Sequence, residues 1–294
     1  MVGTPEAARR LIETMRVLIT GGAGQVGREL AAAFSDHEVL ATDRAALDVT
    51  DREAVLSAVS AFRPTAIIHA AAWTAVDACE ADPDRAFNVN TLATRHVAEA
   101  ARLVGAHLTS FSTDYVFDGF KPSPYVEWDE ANPQSVYGRS KAAADRELAL
   151  QPETTIVRIS WVCSAHGSNM VKTILRLAAK GETLRFVDDQ HGHPTFADDA
   201  ARLVRRLVAE RRPGLYHVTN QGAVSWYEFA VAVLEAAGSP IAVEPISTAD
   251  LTPARPAPRP SNSVLDNAAL RLQGLPLLPH FREPLERVVQ QLIQ

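Results

Sequence analysis

Residues 16–27 read RVLITGGAGQVG, an apolar run followed by a turn that is rich in glycine. The apolar run predicts a buried strand, and a helical pattern begins at Gln25. Glycines between a strand and a helix allow a tight bend, close approach of backbone N–H groups to phosphate oxygens, and close packing of the helix on the strand. The stretch therefore predicts a dinucleotide-binding turn in which Gly21, Gly24 and Gly27 are the required glycines.

Acidic and basic side chains follow the second predicted strand. Asp43 is placed to accept a hydrogen bond from a ribose hydroxyl of NADH, whereas the adjacent Arg44 suits the additional phosphate of NADPH. Because these two demands oppose each other, the expected cofactor is NADPH or NADH. Asp48 and Val49 are candidates for flanking the adenine, with helix capping by Asp48 or Asp51 as the structural alternative.

Strands and helices alternate along the first 160 residues, which is the rhythm of βαβ units. The predicted strands span 16–20, 38–43, 66–71, 107–113 and 155–160, and the predicted helices span 25–34, 52–62, 83–104 and 137–150. The sequence therefore predicts an α/β fold with a doubly wound parallel sheet, the Rossmann fold, and a smaller C-terminal substrate-binding domain.

The regular alternation weakens after Ser160. Helices are predicted over 170–180, 198–210 and 226–237, with a strand over 215–219. We expect residues 15–160 to form the dinucleotide-binding domain and 196–222 to return to it, while 161–195 and 223–294 form the substrate-binding region. The stretch Thr252–Pro260 holds four prolines, which predicts an extended surface segment. Residues 1–14 are interpreted as an N-terminal extension without a function of their own.

Composition excludes several classes of protein. The chain has 294 residues, 47% of them hydrophobic, which is enough to bury a large core. The net charge of -6 contains no long block of like charge and argues against a nucleic-acid partner. No apolar run approaches the ~18 residues of a membrane span, and residues 1–14 lack a signal-peptide core. Cys79 and Cys163 are expected to be buried free thiols in a cytoplasmic protein.

Tyr137 and Lys141 lie four residues apart on a predicted helix and therefore share one face. A hydride delivered to a ketone leaves an alkoxide, which needs a proton from a positioned acid. A lysine ammonium about 4 Å away contributes a Coulomb energy of about 4 kcal/mol, enough to bring a tyrosine pKa from about 10 to near 7. The pair is therefore expected to transfer the proton in a ketone reduction.

Several longer motifs carry a resemblance to a known family. They are the glycine turn at 21–27, AAAWTAVD at 70–77, STDYVFDG at 112–119, YGRSK at 137–141, SWV at 160–162, DQHGHPT at 189–195 and RPSNS at 259–263. With these motifs the chain resembles the extended short-chain dehydrogenase/reductase superfamily, and within it the dTDP-4-dehydrorhamnose reductase family, along nearly its whole length.

The resemblance implies a role for each matching residue. It implies that Thr113, Tyr137 and Lys141 are catalytic, with Thr113 bonding the ketone oxygen, Tyr137 donating the proton, and Lys141 tuning Tyr137 and binding the nicotinamide ribose. Residues implied to line the cofactor are Gly24, Gln25, Val26, Asp43, Asp48, Val49, Ala72 and Thr74. Asp114 and Trp161 are implied to lie near the sugar, and Arg259 suits the diphosphate because a guanidinium fork matches phosphate oxygens.

Some positions depart from the family pattern. His69 stands where an asparagine usually precedes the alanine run, and Cys163 replaces an aromatic residue, which leaves the sugar contacts near Cys163 open. Glu29 and Asp198 match positions at which family members have been described with magnesium at a dimer contact, but no matching C-terminal acid is evident. No magnesium site is therefore predicted, and a homodimer remains open.

His191 and His193 lack a clear third ligand, so no zinc site is predicted either.

The function implied is reduction of the C4 ketone of dTDP-4-dehydro-L-rhamnose to dTDP-L-rhamnose with NADPH or NADH. A reductase of another nucleotide 4-ketosugar is the near alternative. A second alternative is non-catalytic, because the regulatory subunit of eukaryotic methionine adenosyltransferase resembles the same family and binds a dinucleotide. The intact Thr113, Tyr137 and Lys141 favour an enzyme. The expected partner is a nucleotide sugar, with no nucleic acid and no membrane.

Overall fold

Six parallel strands form the centre of the computed structural model, which describes residues 14–293. They are β1 (Arg16–Thr20), β2 (Glu38–Thr42), β3 (Ala66–His69), β4 (His107–Thr113), β5 (Thr154–Ile159) and β10 (Gly214–His217). Their order across the sheet is β10-β5-β4-β3-β1-β2. The predicted doubly wound parallel sheet is confirmed, and its strand order reverses beside β1, where such sheets bind ligands.

Helices cover both faces of this sheet. They are α1 (Gln25–Ala33), α2 (Arg52–Phe62), α5 (Ala93–Val104), α6 (Val136–Ala149) and α8 (Ala197–Ala209). Alternate residues of β1 serve two cores, because Val17 and Ile19 pack with α1 and α8, whereas Leu18 packs with α2 and α5. A strand that is apolar on both sides is the pattern expected of a sheet covered on both faces.

A second, smaller core lies in the C-terminal half. Helices α7 (Met170–Ala178), α9 (Trp226–Ala236) and α11 (Arg282–Ile293) bury apolar side chains together, among them Phe229 and Phe281. The parallel pair β7 (Leu184–Val187) and β12 (Val243–Ile246) packs beside them. Further short elements are α3 (Val76–Ala81), β6 (Val162–Cys163), β8 (His191–Gly192), β9 (Thr195–Phe196), β11 (Val224–Ser225), α10 (Ala268–Leu272) and two 3₁₀ turns at Asp114–Val116 and Thr248–Asp250.

The helix predicted over 83–104 is not one continuous α-helix. It consists of α4 (Pro83–Phe87), a π-helical turn at Asn88–Leu92, and α5. The side chain of Asn90 accepts a hydrogen bond from the Trp73 backbone N–H (2.8 Å) and donates to the Trp73 carbonyl and the Ser140 hydroxyl. The π-helical turn therefore places the buried Asn90 amide where it bonds both Trp73 and Ser140, which stand on the two sides of the cleft described below.

Other boundaries differ by one or two residues from those predicted. The strand expected over 66–71 ends at His69. The chain beyond it passes close to the glycine turn, where a Cβ on Gly21 would lie 2.7 Å from the Ala71 nitrogen. The predicted extension at 1–14 lies outside the described residues except for Thr14. No helix within 14–293 has both the length and the apolar character needed to cross a membrane.

Candidate active site

Two adjoining cavities, of about 310 and 420 Å³, open at the carboxyl ends of β1, β3 and β4. Gly21, Gly24 and Ala72 line both of them, so the two cavities form one cleft. Predicted site residues in the first cavity are Asp43, Arg44, Asp48 and Val49, and those in the second are Gln25, Val26, Gly27, Thr74, Thr113, Asp114, Tyr137, Lys141 and Trp161. The structure thus brings together all predicted site residues except Arg259.

The glycine turn leaves no room for a side chain at Gly21 or Gly27. Gly21 has a φ of 73°, a left-handed conformation that favours glycine. A Cβ on Gly27 would lie 2.1 Å from the Gly21 carbonyl oxygen, so α1 could not pack against the turn. Gly24 precedes α1 without a side-chain cap, and the first N–H groups of α1 are free to meet an anion.

The residues after β2 form a tight polar loop. Asp43 accepts a hydrogen bond from the Ala46 N–H (2.9 Å), and the Arg44 guanidinium is 75% exposed and 3.6 Å from the Asp48 carboxylate. Asp48 also accepts bonds from the hydroxyl and N–H of Thr50, and these bonds lower the pKa of Asp48. The cap of α2 is Asp51, which accepts from the Ala54 N–H. Asp48 therefore shapes the loop and does not cap the helix.

Gln25 connects the two halves of the molecule. Its amide nitrogen donates to the Ser168 carbonyl (3.1 Å), and its amide oxygen accepts from the Asn169 side chain (2.9 Å). Asn169 caps α7, so the start of α1 is joined to the start of a helix in the C-terminal half. Gln25 lines the cleft with an amide that is already hydrogen bonded.

Tyr137 and Lys141 are both buried on the first turns of α6, facing the end of β4. The Ser135 hydroxyl caps this helix by accepting from the Gly138 N–H (3.0 Å), which fixes where its first turn begins. The Lys141 ammonium donates to the Phe111 carbonyl at 2.7 Å. Tyr137 and Lys141 thus stand beside Thr113, the last residue of β4, in one cavity.

The prediction that Lys141 alone brings the Tyr137 pKa near 7 is wrong for this structure. Burial raises the pKa of Tyr137 above its ordinary value, and the opposing effect comes from a hydrogen bond with Thr113. Burial likewise lowers the pKa of Lys141, whose ammonium is directed at the Phe111 carbonyl. Desolvation therefore outweighs the lysine charge in the free protein, and Tyr137 holds its proton firmly.

Asp114 is buried next to the catalytic candidates. Thr113 donates its hydroxyl hydrogen to the Asp114 carboxylate and accepts from the Tyr115 N–H at 3.2 Å. Burial raises the pKa of Asp114 to about 6. The Tyr115 ring meets the Tyr137 ring edge to face, with 5.7 Å between centroids. Tyr115 also lines the cleft, a role that its place in the motif at 112–119 did not by itself predict.

Arg259 does not line the cleft itself, but its side chain contacts Tyr115, which does. Its guanidinium forms a two-pronged ion pair with Asp77, 2.8 Å for the Nη2–Oδ2 bond, and its side chain is 9% exposed. The Ala257 N–H donates to the same carboxylate. The hydrogen bond from Arg259 lowers the pKa of Asp77. A role at the diphosphate would therefore require Arg259 to exchange or share its Asp77 partner.

Trp226 belongs to the cleft, although the sequence pattern predicts only that it begins a helix. It lines the cavity that contains Tyr137 and Lys141. A signal existed in the sequence, since Ser225 and Glu228 have the spacing of a capping box. Both bonds of that box are present, and they make Trp226 the first residue of α9.

Two unusual positions have structural roles. His69 is fully buried. Its Nδ1 lies 2.8 Å from the Thr20 hydroxyl, and its Nε2 lies 3.1 Å from the Thr94 hydroxyl. Burial, and then the charge of Lys141, lowers the pKa of His69 to about 3, so the ring is neutral. Cys163 is buried in the smaller core, and both Cys79 and Cys163 are free thiols, as predicted.

The residues at the suggested magnesium positions do not fit a metal ion. Glu29 and Asp198 line a cavity of about 300 Å³, but the Arg287 guanidinium lies 2.6 Å from Asp198 and already supplies a positive charge. Glu29 instead accepts from the Ser164 hydroxyl. Within residues 14–293, no group of three or more histidine, cysteine or acidic side chains is arranged to hold a metal.

Comparison with known proteins identifies the family. The model of the RmlD substrate binding domain family matches residues 15–294. A dTDP-4-dehydrorhamnose reductase of Streptomyces griseus is 43% identical over 280 residues, 92% of this chain and 91% of the relative. A dTDP-4-keto-6-deoxy-D-glucose reductase of Streptomyces niveus is 36% identical over 273 residues, 91% of this chain and 94% of the relative.

A solved structure agrees with this assignment. The crystal structure of a dTDP-4-dehydrorhamnose reductase from Bacillus anthracis in complex with NADP has a TM-score of 0.91 and 37% identity, and covers 95% of this chain and 100% of that one. The matching fold and the matched length confirm the resemblance seen in the motifs. This chain belongs to the RmlD substrate binding domain family, to which its resemblance to the dTDP-4-dehydrorhamnose reductases had pointed.

Proposed function

We propose that this protein reduces the C4 ketone of dTDP-4-dehydro-L-rhamnose to give dTDP-L-rhamnose, with NADPH or NADH as the reductant. The observation that carries the proposal is the meeting of Thr113, Tyr137 and Lys141 in one cavity that is continuous with the glycine turn. The family supports the same chemistry, since its relatives include reductases of dTDP-linked 4-ketosugars.

The cleft fits a dinucleotide that spans both cavities. The side-chain-free turn at Gly21 and Gly27 leaves backbone N–H groups at the start of α1 for the pyrophosphate, and Asp43 with Arg44 is available for the ribose. Asp48, Val49 and Ala72 would lie along the adenine side, and Thr74 and Lys141 along the nicotinamide side. The bound cofactor would supply the hydride.

The proton comes from the chain itself. Tyr137 holds its proton at neutral pH because burial raises its pKa, and a group that keeps its proton until charge develops is suited to act as a general acid. The alkoxide that forms at C4 would take the Tyr137 proton, and Thr113 would donate to the same oxygen by turning its one hydroxyl hydrogen away from Asp114. The Lys141 ammonium, fixed by the Phe111 carbonyl, would stabilise the phenolate that remains.

The substrate is proposed to enter from the C-terminal side. The chain would then divide into two parts. Residues 15–160 and 196–222 would bind the dinucleotide, and residues 161–195 and 223–294 would bind the nucleotide sugar. Asp114 and Trp161 would face the hexose, and Arg259 would bind the diphosphate by sharing its partner Asp77. We place the reaction in the cytoplasm, where two buried free thiols are compatible with a reducing environment.

Turnover with defined ketosugars tests the proposal. Purified protein is mixed with NADPH and dTDP-4-dehydro-L-rhamnose, nicotinamide absorbance is followed, and the product is identified by NMR. Formation of dTDP-L-rhamnose by the wild type, and its loss in Tyr137→Phe, is the expected result. Tight NADPH binding without turnover of any ketosugar would refute the proposal and favour the non-catalytic alternative.

A second substrate is worth a parallel assay. The Streptomyces niveus relative is named for dTDP-4-keto-6-deoxy-D-glucose, the C3 and C5 epimer of the first substrate, and it covers 91% of this chain. The same catalytic residues could reduce that ketone, because the chemistry at C4 is identical. Comparing kcat/KM for the two ketosugars decides between them, and the NMR couplings of the product report the configuration at C4.

A further inference from the structure

Trp161 has a backbone conformation that is rare for a large residue. Its φ is 45°, in the left-handed region, and it directly follows β5 and Ser160 at the edge of the cleft. A bulky residue keeps such a conformation only where its surroundings enforce it, and residues of this kind concentrate at sites that hold ligands. The Trp161 carbonyl accepts a hydrogen bond from the Thr195 N–H at 3.2 Å, which anchors its backbone.

The Trp161 ring is stacked on the ring of Trp226. The centroids are 3.5 Å apart and the planes differ by 7°. The Phe229 ring meets both indoles edge on. Gly192 also touches the Trp161 ring, since a Cβ at 192 would lie 2.6 Å from one ring atom. Trp161 is therefore held on several sides, although it is only half-buried.

Trp226 is itself rigidly placed. It is the first residue of α9, and Ser225 before it caps that helix and donates to the Asp188 carboxylate at 2.5 Å. Ser225 also pairs with His191 in the short ladder between β8 and β11. Ser225, the residue before Trp226, is thus bonded to Asp188 and paired with His191. The Trp161 ring, by contrast, has one whole face against Trp226, and its contacts with Phe229 and Gly192 are smaller.

We propose that Trp226 is a positioning residue for the reaction, which holds the Trp161 ring as a flat wall against which the hexose of the nucleotide sugar packs. This inference rests on the proposed function, because it takes the hexose as the ligand of the wall. The C–H face of a pyranose is apolar, and a 6-deoxyhexose adds a methyl group in place of a hydroxymethyl group. Contact between such a sugar and an aromatic face favours binding, because it removes apolar surface of both from water.

Two ligands that differ only by the sugar test the proposal. The affinities of dTDP and dTDP-L-rhamnose are measured by titration calorimetry on the full chain saturated with NADP⁺, for wild type, Trp226→Ala and Trp226→Phe. We expect Trp226→Ala to weaken dTDP-L-rhamnose about tenfold and to change dTDP by less than about twofold. Trp226→Phe, which preserves an aromatic partner, should restore most of the affinity.

A spectroscopic measurement reports the stack directly. Two indoles at this distance give an exciton couplet in far-ultraviolet circular dichroism, which should vanish in both Trp226 variants and in Trp161→Phe. Loss of the couplet in Trp226→Ala with unchanged dTDP-L-rhamnose affinity would overturn the proposal, and so would an equal weakening of dTDP and dTDP-L-rhamnose. If the wild type binds neither dTDP nor dTDP-L-rhamnose and reduces no ketosugar, both the proposed function and this proposal are wrong. Measurements on the wild type alone therefore distinguish that outcome from a failure of the Trp226 proposal.

Discussion

Thr113 donates its hydroxyl hydrogen to the buried carboxylate of Asp114, with 2.9 Å between Oγ1 and Oδ1. Burial raises the pKa of Asp114 to about 6, above the value of about 4 expected in the unfolded chain. Between these two values the folded state binds more protons than the unfolded state. The stability of the fold therefore falls as the pH rises from about 4 to about 6, and stays lower above that window.

Asp114→Asn should stabilise the protein while reducing its activity. At pH 8 the amide removes a buried charge, so we expect a gain of about 1 to 3 kcal/mol in the free energy of unfolding, which should disappear near pH 4. Turnover should fall by about tenfold or more, because a neutral amide accepts a weaker hydrogen bond from Thr113 than a carboxylate does and holds the Thr113 hydroxyl less firmly. Denaturant unfolding at the two pH values measures the first effect, and steady-state assays measure the second.

Asp118→Asn is the matched control for Asp114→Asn. A hydrogen bond from Tyr125 lowers the pKa of Asp118, so removal of its charge should cost stability at pH 8. A gain in Asp114→Asn of the same size at pH 4 and pH 8 would contradict the assignment of the effect to ionisation.

Tyr137→Phe removes the proposed acid and little else. We expect turnover to fall by ~10² or more while the affinity for NADPH stays within a few fold. Tyr115→Phe removes the hydroxyl of the neighbouring ring, whose centroid lies 5.7 Å from that of Tyr137, and should retain most of the turnover. Single-turnover kinetics and NADPH fluorescence titration separate the two quantities. Full turnover in Tyr137→Phe would remove this residue from the mechanism.

Lys141→Met should damage catalysis and cofactor binding together. The buried ammonium lies beside the end of β4, where it is proposed to serve both Tyr137 and the nicotinamide ribose. We expect turnover to fall by ~10² or more and NADPH affinity by about tenfold. Lys172→Met, on α7, provides a control lysine outside the cleft lining. Normal NADPH affinity in Lys141→Met would exclude the ribose contact.

The choice between NADPH and NADH should depend on Asp43 and Arg44. Arg44 is 75% exposed and paired only loosely with Asp48, so its guanidinium is free to meet a 2′-phosphate. Arg44→Ala should weaken NADPH by about tenfold and leave NADH nearly unchanged, whereas Asp43→Ala should favour NADPH relative to NADH. The ratio of kcat/KM for the two cofactors at fixed ionic strength is the measurement. A ratio that moves by less than about threefold in both variants would refute this role.

His69→Asn should make the protein less sensitive to acid. Burial lowers the pKa of His69 to about 3, whereas an unfolded histidine titrates near 6.5. The unfolded state therefore binds more protons between these values, and stability falls as the pH drops through that window. From pH 7 to pH 5 the wild type should lose about 2 kcal/mol more than His69→Asn. As a control, His191→Asn replaces an exposed histidine and should lose as much free energy of unfolding between pH 7 and pH 5 as the wild type. If His69→Asn also loses as much as the wild type, the explanation is wrong.

The parts of the structure that follow from local pattern were predictable. The turn at 21–27 and the strands on either side of it need only apolar runs, glycines and a helix start, and the structure has them where expected. Tyr137 and Lys141 were predicted from their spacing on one helix. Family motifs were needed for Ala72, Thr74 and Trp161, because residues far apart in sequence meet there only through the order of the strands.

Other features depend on contacts that a sequence pattern does not contain. The π-helical turn forms around the Asn90 amide, whose partners Trp73 and Ser140 lie on other segments. The Tyr137 pKa was predicted from one charge, but burial of the ring has the larger effect. Arg259 was assigned from its chemistry alone, whereas its partner Asp77 lies 182 positions earlier in the chain.

The Asn90 side chain also fixes the width of the cleft. Three hydrogen bonds run from this one amide, two to the Trp73 backbone after β3 and one to the Ser140 hydroxyl on α6. Ser140 in turn donates to the Tyr137 carbonyl. The segment after β3, which would bind the dinucleotide, is thus joined through the Asn90 amide to the helix that carries the proton donor, and the Thr91 hydroxyl adds a further bond to the Ser140 carbonyl. The fold itself therefore sets the distance between the nicotinamide that would supply the hydride and the Tyr137 acid, before any ligand binds.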